Sequence, residues 1–309
     1  MPDAPLLKLG TRRSPLAMVQ AEEARRRLCE AHDWPESAVE LVPVVASGDR
    51  IQDRPLAEIG GKALWTRELD AWLAEGRIHA SVHSLKDVET VRPDSLLLTA
   101  ILPRADKCDR LIGADSIAAL AKGATVGTSA PRRAAQLLHL RPDCKVVTFR
   151  GNVATRLAKL EAGEADATFL AAAGLSRLGQ DDIGHALDPN EWLPAPAQGA
   201  IALESRADDV QTQELLAPLD HAASHAEVLA ERALLLGLGG NCHSPIGVLC
   251  DHKDGELVMR AAIFSADGAE RVEAEARFAA GDDYASSSLA SQLLQSATPG
   301  IRAVFDGQS

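Results

Sequence analysis

The chain has 309 residues, 46% of them hydrophobic and 25% charged, with a formal net charge of −12. That length exceeds one ordinary domain, so two or three are expected. The acidic balance argues against a general nucleic-acid or membrane-surface binder, and no apolar run approaches the ~18 residues a membrane helix needs.

The chain start, Met1-Pro2-Asp3-Ala4-Pro5-Leu6, lacks the charged-then-apolar pattern of a secretory leader, and a cytoplasmic protein is expected. Residues 6–11 read as a strand. Ser14 then caps a helix with Pro15 at its first position, where a missing N–H costs nothing. Residues 39–46 form the next strand. The stretch 48–61 mixes Gly, Asp, Pro and charge, is long for a connection, and reads as a lid. Leu64, Leu69, Trp72 and Leu73 give 62–75 a helical spacing, and 78–82 and 96–102 are strands.

Residues 103–109, charged and proline-containing, read as a hinge. Beyond them the alternation restarts: strand 125–127 with helix 132–140, strand 145–149 with helix 153–161, then strand 167–170. Such alternation predicts parallel sheets with crossover helices in both halves. A proline-rich return at 193–199 leads to a strand at 200–204. After about residue 224 the pattern changes. A helix at 227–236 enters a glycine-rich turn, and strands at 248–252, 257–264 and 271–278 precede a helix near 284–295, which predicts a separate α+β domain.

The charge distribution is uneven. Between Thr128 and Leu160 stand seven Lys or Arg, at 132, 133, 141, 145, 150, 156 and 159, and one acid, Asp143. A local excess of six in an acidic chain suggests a ligand rich in carboxylates or phosphates. Gly127-Thr-Ser-Ala-Pro-Arg-Arg133 and Arg150-Gly-Asn-Val-Ala-Thr-Arg156 each place a polar turn, a helix start and arginines together, a suitable anion site. Solvated helix charge is the plainer reading of either motif, and of Arg25-Arg26-Arg27. Asp87, at a strand end beside Lys86, suits a general acid or base, or a carboxylate that stabilises a cation; a helix cap or surface pair is the alternative. The five cysteines (29, 108, 144, 242 and 250) are scattered without a CxxC, so neither disulfides nor a metal site is expected. Most should be buried, but Cys242, in a glycine-rich turn before Pro245, suits a reactive thiol. His79 and His83 share a strand face without an evident third ligand.

Together these segments resemble the porphobilinogen deaminase (hydroxymethylbilane synthase) family from Leu9 to about Val304. The matching stretches are Gly10–Ala17, Ser47-Gly-Asp49, 59–65, Val82–Val88, Gly127–Arg133, Arg150–Arg156, Ala173–Gly179, Ala197–Ala200 and Gly240–Gly247. The resemblance implies an α/β protein with two lobes like those of periplasmic binding proteins, an active cleft between them, and a C-terminal α+β domain. The implied bounds are 1–103 plus 198–220, then 104–197, then 221–309. It implies a dipyrromethane cofactor joined to Cys242 by a thioether, with Lys86, Asp87, Thr128, Ser129, Arg132, Arg133, Arg150, Gly151 and Asn152 around it. Arg12, Ser14, Lys62, Arg150, Arg156 and Gln198 would bind substrate, and Asp87 would be the catalytic acid. The implied reaction joins four porphobilinogens on the primer with loss of ammonia, and water then releases the linear tetrapyrrole. A monomer without nucleic-acid or membrane partners is implied.

Five positions depart from the common family pattern: Glu58 for a basic residue, Trp65 for Phe, Glu89 for Pro, Ala130 for Ser and Asn241 for Gly. Two other readings of the residues are a two-lobed binder of an organic anion and a thiol enzyme using free Cys242.

Overall fold

The computed structural model describes residues 5–45, 66–241 and 243–305. Strand β1 (Leu7–Arg12) turns Leu7 and Leu9 to one core, is buried at Gly10 on its other face, and delivers the chain to Ser14. Ser14 caps helix α1 (Pro15–His32) by accepting from the Ala17 N–H, with Pro15 in the first turn. The helix buries Ala17, Gln20, Ala21, Ala24 and Leu28, a stripe at helical spacing. The arginine triplet lies on its other side, with Arg26 and Arg27 paired to Glu30 and Glu23 at 2.7 and 3.0 Å.

The first sheet adds β2 (Val39–Val44), β3 (Ala80–Ser84), β4 (Leu96–Ile101) and the late strand β10 (Ile201–Arg206), in the order β2-β1-β3-β10-β4. The first three run parallel, whereas β10 is antiparallel to both β3 and β4. Helix α2 (Arg67–Ala74) packs Leu69 and Leu73 against Val44 and Ile78. At Gly10 any Cβ would lie 2.3 Å from the Ile78 side chain, so only glycine permits this approach.

The second sheet holds β5 (Asp109–Ile112), β6 (Thr125–Gly127), β7 (Lys145–Val147), β8 (Ala167–Ala171) and β9 (His185–Ala186), in the order β7-β6-β8-β5-β9. Its plan repeats the first: three parallel strands, then an antiparallel one taken from elsewhere in the chain, then an antiparallel edge. The alternation predicts parallel sheets; both are mixed. Residues 103–109 were read as hinge alone, yet β5 begins at Asp109. Helices α3 (Pro131–Leu140), α4 (Val153–Glu161) and α5 (Ala172–Arg177) follow β6, β7 and β8. Helix α6 (Val210–Leu216) follows β10.

The last segment forms an antiparallel sheet of β11 (Ile246–Lys253), β12 (Glu256–Phe264) and β13 (Arg271–Ala279). It is covered by α7 (Ala222–Gly237), α8 (Asp283–Gln295) and α9 (Pro299–Phe305). Leu234, Val248, Met259, Ile263, Leu293 and Ile301 form this core. The fold class is therefore as expected: two α/β lobes and a C-terminal α+β region. Of the described residues, those up to Ala105 and from Gly199 to His225 form one compact unit; Asp106–Gln198 and the residues from Ala226 onward form a second. No described helix is long and apolar enough to cross a membrane.

Candidate active site

In the first unit the parallel pairing of β1 with β3 brings their carboxyl ends to one edge, the side on which open α/β sheets bind ligands. Arg12 ends β1, and Asp87 ends the short 3-10 turn Leu85–Asp87 that follows β3. Arg12 Nη1 lies 3.6 Å from Asp87 Oδ2, with the Asp87 side chain 37% exposed. Both line a small open pocket with Ser14, Gln20, His83 and Ser84, floored by Leu16, Ala17, Val82 and Val88. Lys86 is half-buried within the turn.

The pocket also contains residues that the motif reading did not place there. Gln20 is buried on α1, and its side-chain amide and the Ser84 hydroxyl lie at 2.8 and 3.0 Å, tying the end of β3 to α1. A glutamine on the buried stripe between Ala17 and Ala21 was the available signal. His83 is buried with Nε2 2.7 Å from Ser81 Oγ and 3.5 Å from Glu204 Oε2.

In the second unit two strand-to-helix turns meet at one edge, because β6 and β7 are parallel and Thr128 N–H donates to Val147 O at 2.9 Å. The first turn carries Thr128, buried, whose hydroxyl accepts from the Ala130 N–H, and half-buried Ser129. Ala130, at the cap of α3, makes no side-chain capping bond. The second turn is Arg150-Gly151-Asn152. Gly151 has φ +108°, a conformation L residues avoid, and a Cβ there would lie 2.6 Å from Thr155 Cγ2. Asn152 caps α4 by accepting from the Thr155 N–H at 2.9 Å, and Arg156 Nε donates to Gly151 O at 3.0 Å. Arg150 is buried.

Arg132 and Arg133 were expected to face an anionic ligand. Their principal partner in the structure is Asp109, fully buried at the start of β5. Arg132 Nη2 and Arg133 Nη2 donate to its two oxygens at 2.8 and 2.7 Å. Trp192 Nε1 and Gln198 Nε2 add bonds of 2.8 and 2.9 Å, so Gln198 is a buried partner of this carboxylate. Burial alone would raise the Asp109 pKa, but the two guanidiniums and these hydrogen bonds hold it well below the usual carboxylate range. The linear charge count missed Asp109 because it precedes the basic stretch. Arg141 is paired with Asp143, and Lys159 lies 3.4 Å from Glu164. Counting Asp109 and Glu164 beside Asp143 lowers the local surplus from six to four.

A surplus nonetheless persists at the buried centre, where one carboxylate faces two guanidiniums and Arg132 Nε is buried without a hydrogen-bond partner. The remaining donors are used within the chain: Arg132 Nη1 donates to Leu193 O at 2.7 Å and Arg133 Nη1 to Phe169 O at 3.0 Å. His243 has its pKa lowered by burial and, secondarily, by the charge of Arg150, so these two residues share a neighbourhood. Asn241 Oδ1 accepts from the His243 N–H at 2.8 Å, and Ser244 Oγ accepts from the Asn241 N–H at 3.0 Å, a local turn of bonds among these three residues. The departure from glycine at 241 thus adds a side-chain bond to that turn. Cys242, Lys62, Glu58, Trp65 and the stretch 48–61 lie outside the described residues. Of the other cysteines, Cys144 and Cys250 are buried, whereas Cys29 and Cys108 are half-buried.

Comparison with known proteins matches residues 7–214 to the family model "Porphobilinogen deaminase, dipyromethane cofactor binding domain" and residues 225–294 to the C-terminal domain of the same family. A porphobilinogen deaminase of Sphingopyxis alaskensis is 55% identical over 310 residues, covering 98% of both chains. That of Paracoccus denitrificans is 47% identical over 272 residues, covering 87% of each. Among solved structures, the periplasmic VFT2 domain of Bordetella pertussis BvgS aligns with 75% of this chain and 93% of its own, at 18% identity and a TM-score of 0.42, too distant to carry an argument. By the two family models and by these relatives, the chain belongs to the porphobilinogen deaminase family.

Proposed function

We propose that the protein is a hydroxymethylbilane synthase, a transferase of tetrapyrrole biosynthesis that condenses four porphobilinogens on a dipyrromethane primer held by Cys242. The observation that carries the residue-level reading is the Arg12–Asp87 pair in one pocket at the sheet's carboxyl edge. The dipyrromethane group, when bound, supplies the nucleophilic pyrrole carbon from which the chain grows. The second unit's turns fit such a group, since the strained Gly151 turn, the Asn152 cap at the start of α4 and the Thr128 turn lie at one sheet edge with Arg150 and Arg156 among them. Arg150, Gly151 and Asn152 would bind its carboxylates at the start of α4, with Ser129 and Lys86 completing the set. Arg12, Ser14, Lys62 and Arg156 would hold the acetate and propionate of the incoming substrate. Gln198 would act through Asp109 in this reading.

Asp87 performs the chemistry. Its carboxylate accepts from the pyrrole N–H and the departing amine, and it faces the cation that remains once ammonia leaves. A unit charge ~4 Å away interacts by about 1 kcal/mol in water and about 4 kcal/mol at a partly desolvated protein surface. A carboxylate placed in advance supplies that energy without reorganising at the moment of reaction. Arg12, 3.6 Å from Asp87, pairs with the carboxylate and helps to orient it. We read the chain as three domains, one per sheet, working as a cytoplasmic monomer; the net charge of −12 supports the absence of a nucleic-acid partner.

The test is the intact mass of the purified protein beside Cys242→Ser, with turnover of porphobilinogen by Asp87→Asn. An added mass of two linked pyrroles, absent from Cys242→Ser, and loss of turnover with an intact fold in Asp87→Asn are expected. An unmodified mass after incubation with porphobilinogen, or near-normal turnover by Asp87→Asn, would overturn the respective assignment.

A further inference from the structure

Linked to the Asp87 pocket through His83 is a partly buried charged cluster that the reaction does not directly use. The Arg92 side chain is 9% exposed, and its guanidinium meets three carboxylates. Nε and Nη2 grip both oxygens of Glu204, each at 2.8 Å, in a bidentate fork. Nη2 also donates to Asp70 at 2.6 Å, and Nη1 to Glu89 at 2.9 Å and to Thr66 Oγ1 at 3.3 Å. The Thr66 hydroxyl in turn donates to Glu89 at 2.9 Å.

The partners come from three pieces of the first unit: β10, helix α2 with its cap, and the segment after Asp87. Glu204 is on β10, Asp70 on α2, Thr66 caps α2, and Glu89 stands two residues beyond Asp87. Glu204 also approaches His83, which lines the pocket with Asp87. The segment after Asp87 is therefore fastened from two sides, by Glu89 and by Arg92 itself. Glu89 stands where a proline is frequent in the family. A proline stiffens a turn by fixing its φ angle, whereas here a partly buried ion-pair cluster supplies the constraint.

We propose that Arg92 is a positioning residue for Asp87: by binding Glu204, Asp70 and Glu89 together it fixes the turn that holds the Asp87 carboxylate beside Arg12. The proposal rests on reading Asp87 as the catalytic carboxylate. Since Arg92 does not line the pocket, its loss moves the acid and leaves the arginines that bind substrate carboxylates in place. The effect therefore falls on kcat and spares KM. Misplacement of a catalytic group by ~1 Å costs up to about 100-fold in rate.

The experiment compares Arg92→Met, Glu89→Ala, Glu89→Gln and Asp87→Asn, each as full-length protein with its cofactor mass checked and kcat expressed per cofactor-bearing molecule. A roughly tenfold or greater loss of kcat is expected for Arg92→Met and about threefold for Glu89→Ala, both with KM unchanged. Glu89→Gln, which retains an acceptor for Thr66 and Arg92, should recover most of the loss. Should Arg92→Met fail to fold, the Glu89 pair decides alone, because that side chain is 25% exposed and its removal leaves the Arg92–Glu204 fork intact. Wild-type kcat in a folded Glu89→Ala, or a lower melting temperature with unchanged kcat, would overturn the proposal. Retained turnover in Asp87→Asn would instead overturn the reading of Asp87 and the positioning role with it. A dead Asp87→Asn beside fully active clamp variants would refute the positioning role alone.

Discussion

Replacing Asp109 by Asn should be among the most damaging single changes outside the reacting residues. The side chain is fully buried and takes charge-assisted bonds from Arg132 and Arg133 at 2.7–3.2 Å, with Trp192 and Gln198 adding two more. Asparagine keeps the shape and removes the charge, leaving two buried guanidiniums without a counter-ion. Breaking a buried pair from one side costs about 3–5 kcal/mol, a large part of a total stability of about 5–15 kcal/mol. Urea unfolding read by tryptophan fluorescence is suitable, because Trp192 bonds to Asp109 and stacks on Phe169 at 4.7 Å. At a slope of ~2–3 kcal/mol per molar urea, the midpoint should fall by roughly 1.5 M. The second variant, Arg133→Met, removes the surplus charge. Combined with Asp109→Asn it should lose less than the sum of the two single changes, by about 1–3 kcal/mol. The sign of the pH dependence is fixed as well. The folded-state pKa is depressed, so the contribution of Asp109 is complete above about pH 4 and is lost only as the pH falls through the lower folded value. A midpoint within 0.3 M of wild type (roughly 1 kcal/mol), or strict additivity of the two changes, would refute the ion-pair reasoning.

Two further outcomes follow from local geometry. Gly151→Ala forces a left-handed φ and a 2.6 Å approach to Thr155; it should cost about 1–3 kcal/mol in thermal unfolding and reduce cofactor incorporation by displacing Arg150, and an unchanged melting temperature would contradict it. Burial pushes the Cys108 thiol up to about 12, aided by its hydrogen bond to Asp106; iodoacetamide labelling at pH 8, mapped by peptide mass, should therefore be far slower there than for a free thiol, and rapid labelling would count against the placement.

Much of this arrangement was legible in the chain because its signals are local. Ser14-Pro15 is a helix start whatever surrounds it, and the structure uses it as one. The glycine and asparagine at 151 and 152 likewise mark a strained turn and a cap by their own stereochemistry. The apolar runs identified most of the strands. Their direction was not legible: hydrophobic periodicity reports which side of a strand is buried, not which way it runs, so the antiparallel course of β10, and of β5, is known only from the fold. The basic stretch after Thr128 was visible as composition, but pairing is a matter of distance in space. Asp109 precedes Arg132 by 23 residues, and only folding brings the carboxylate between the two guanidiniums.

The same division holds at the Asp87 pocket. The motif around Asp87 is written in consecutive residues, and its place after a strand follows from them. Arg92, by contrast, reads as an unremarkable loop charge, and Glu204 as the polar end of a strand. Residue order determined the chemical groups, the caps and the turns of this protein. Tertiary structure alone decided which charges meet, because a salt bridge depends on separation and burial, and strands brought together by long crossovers set both.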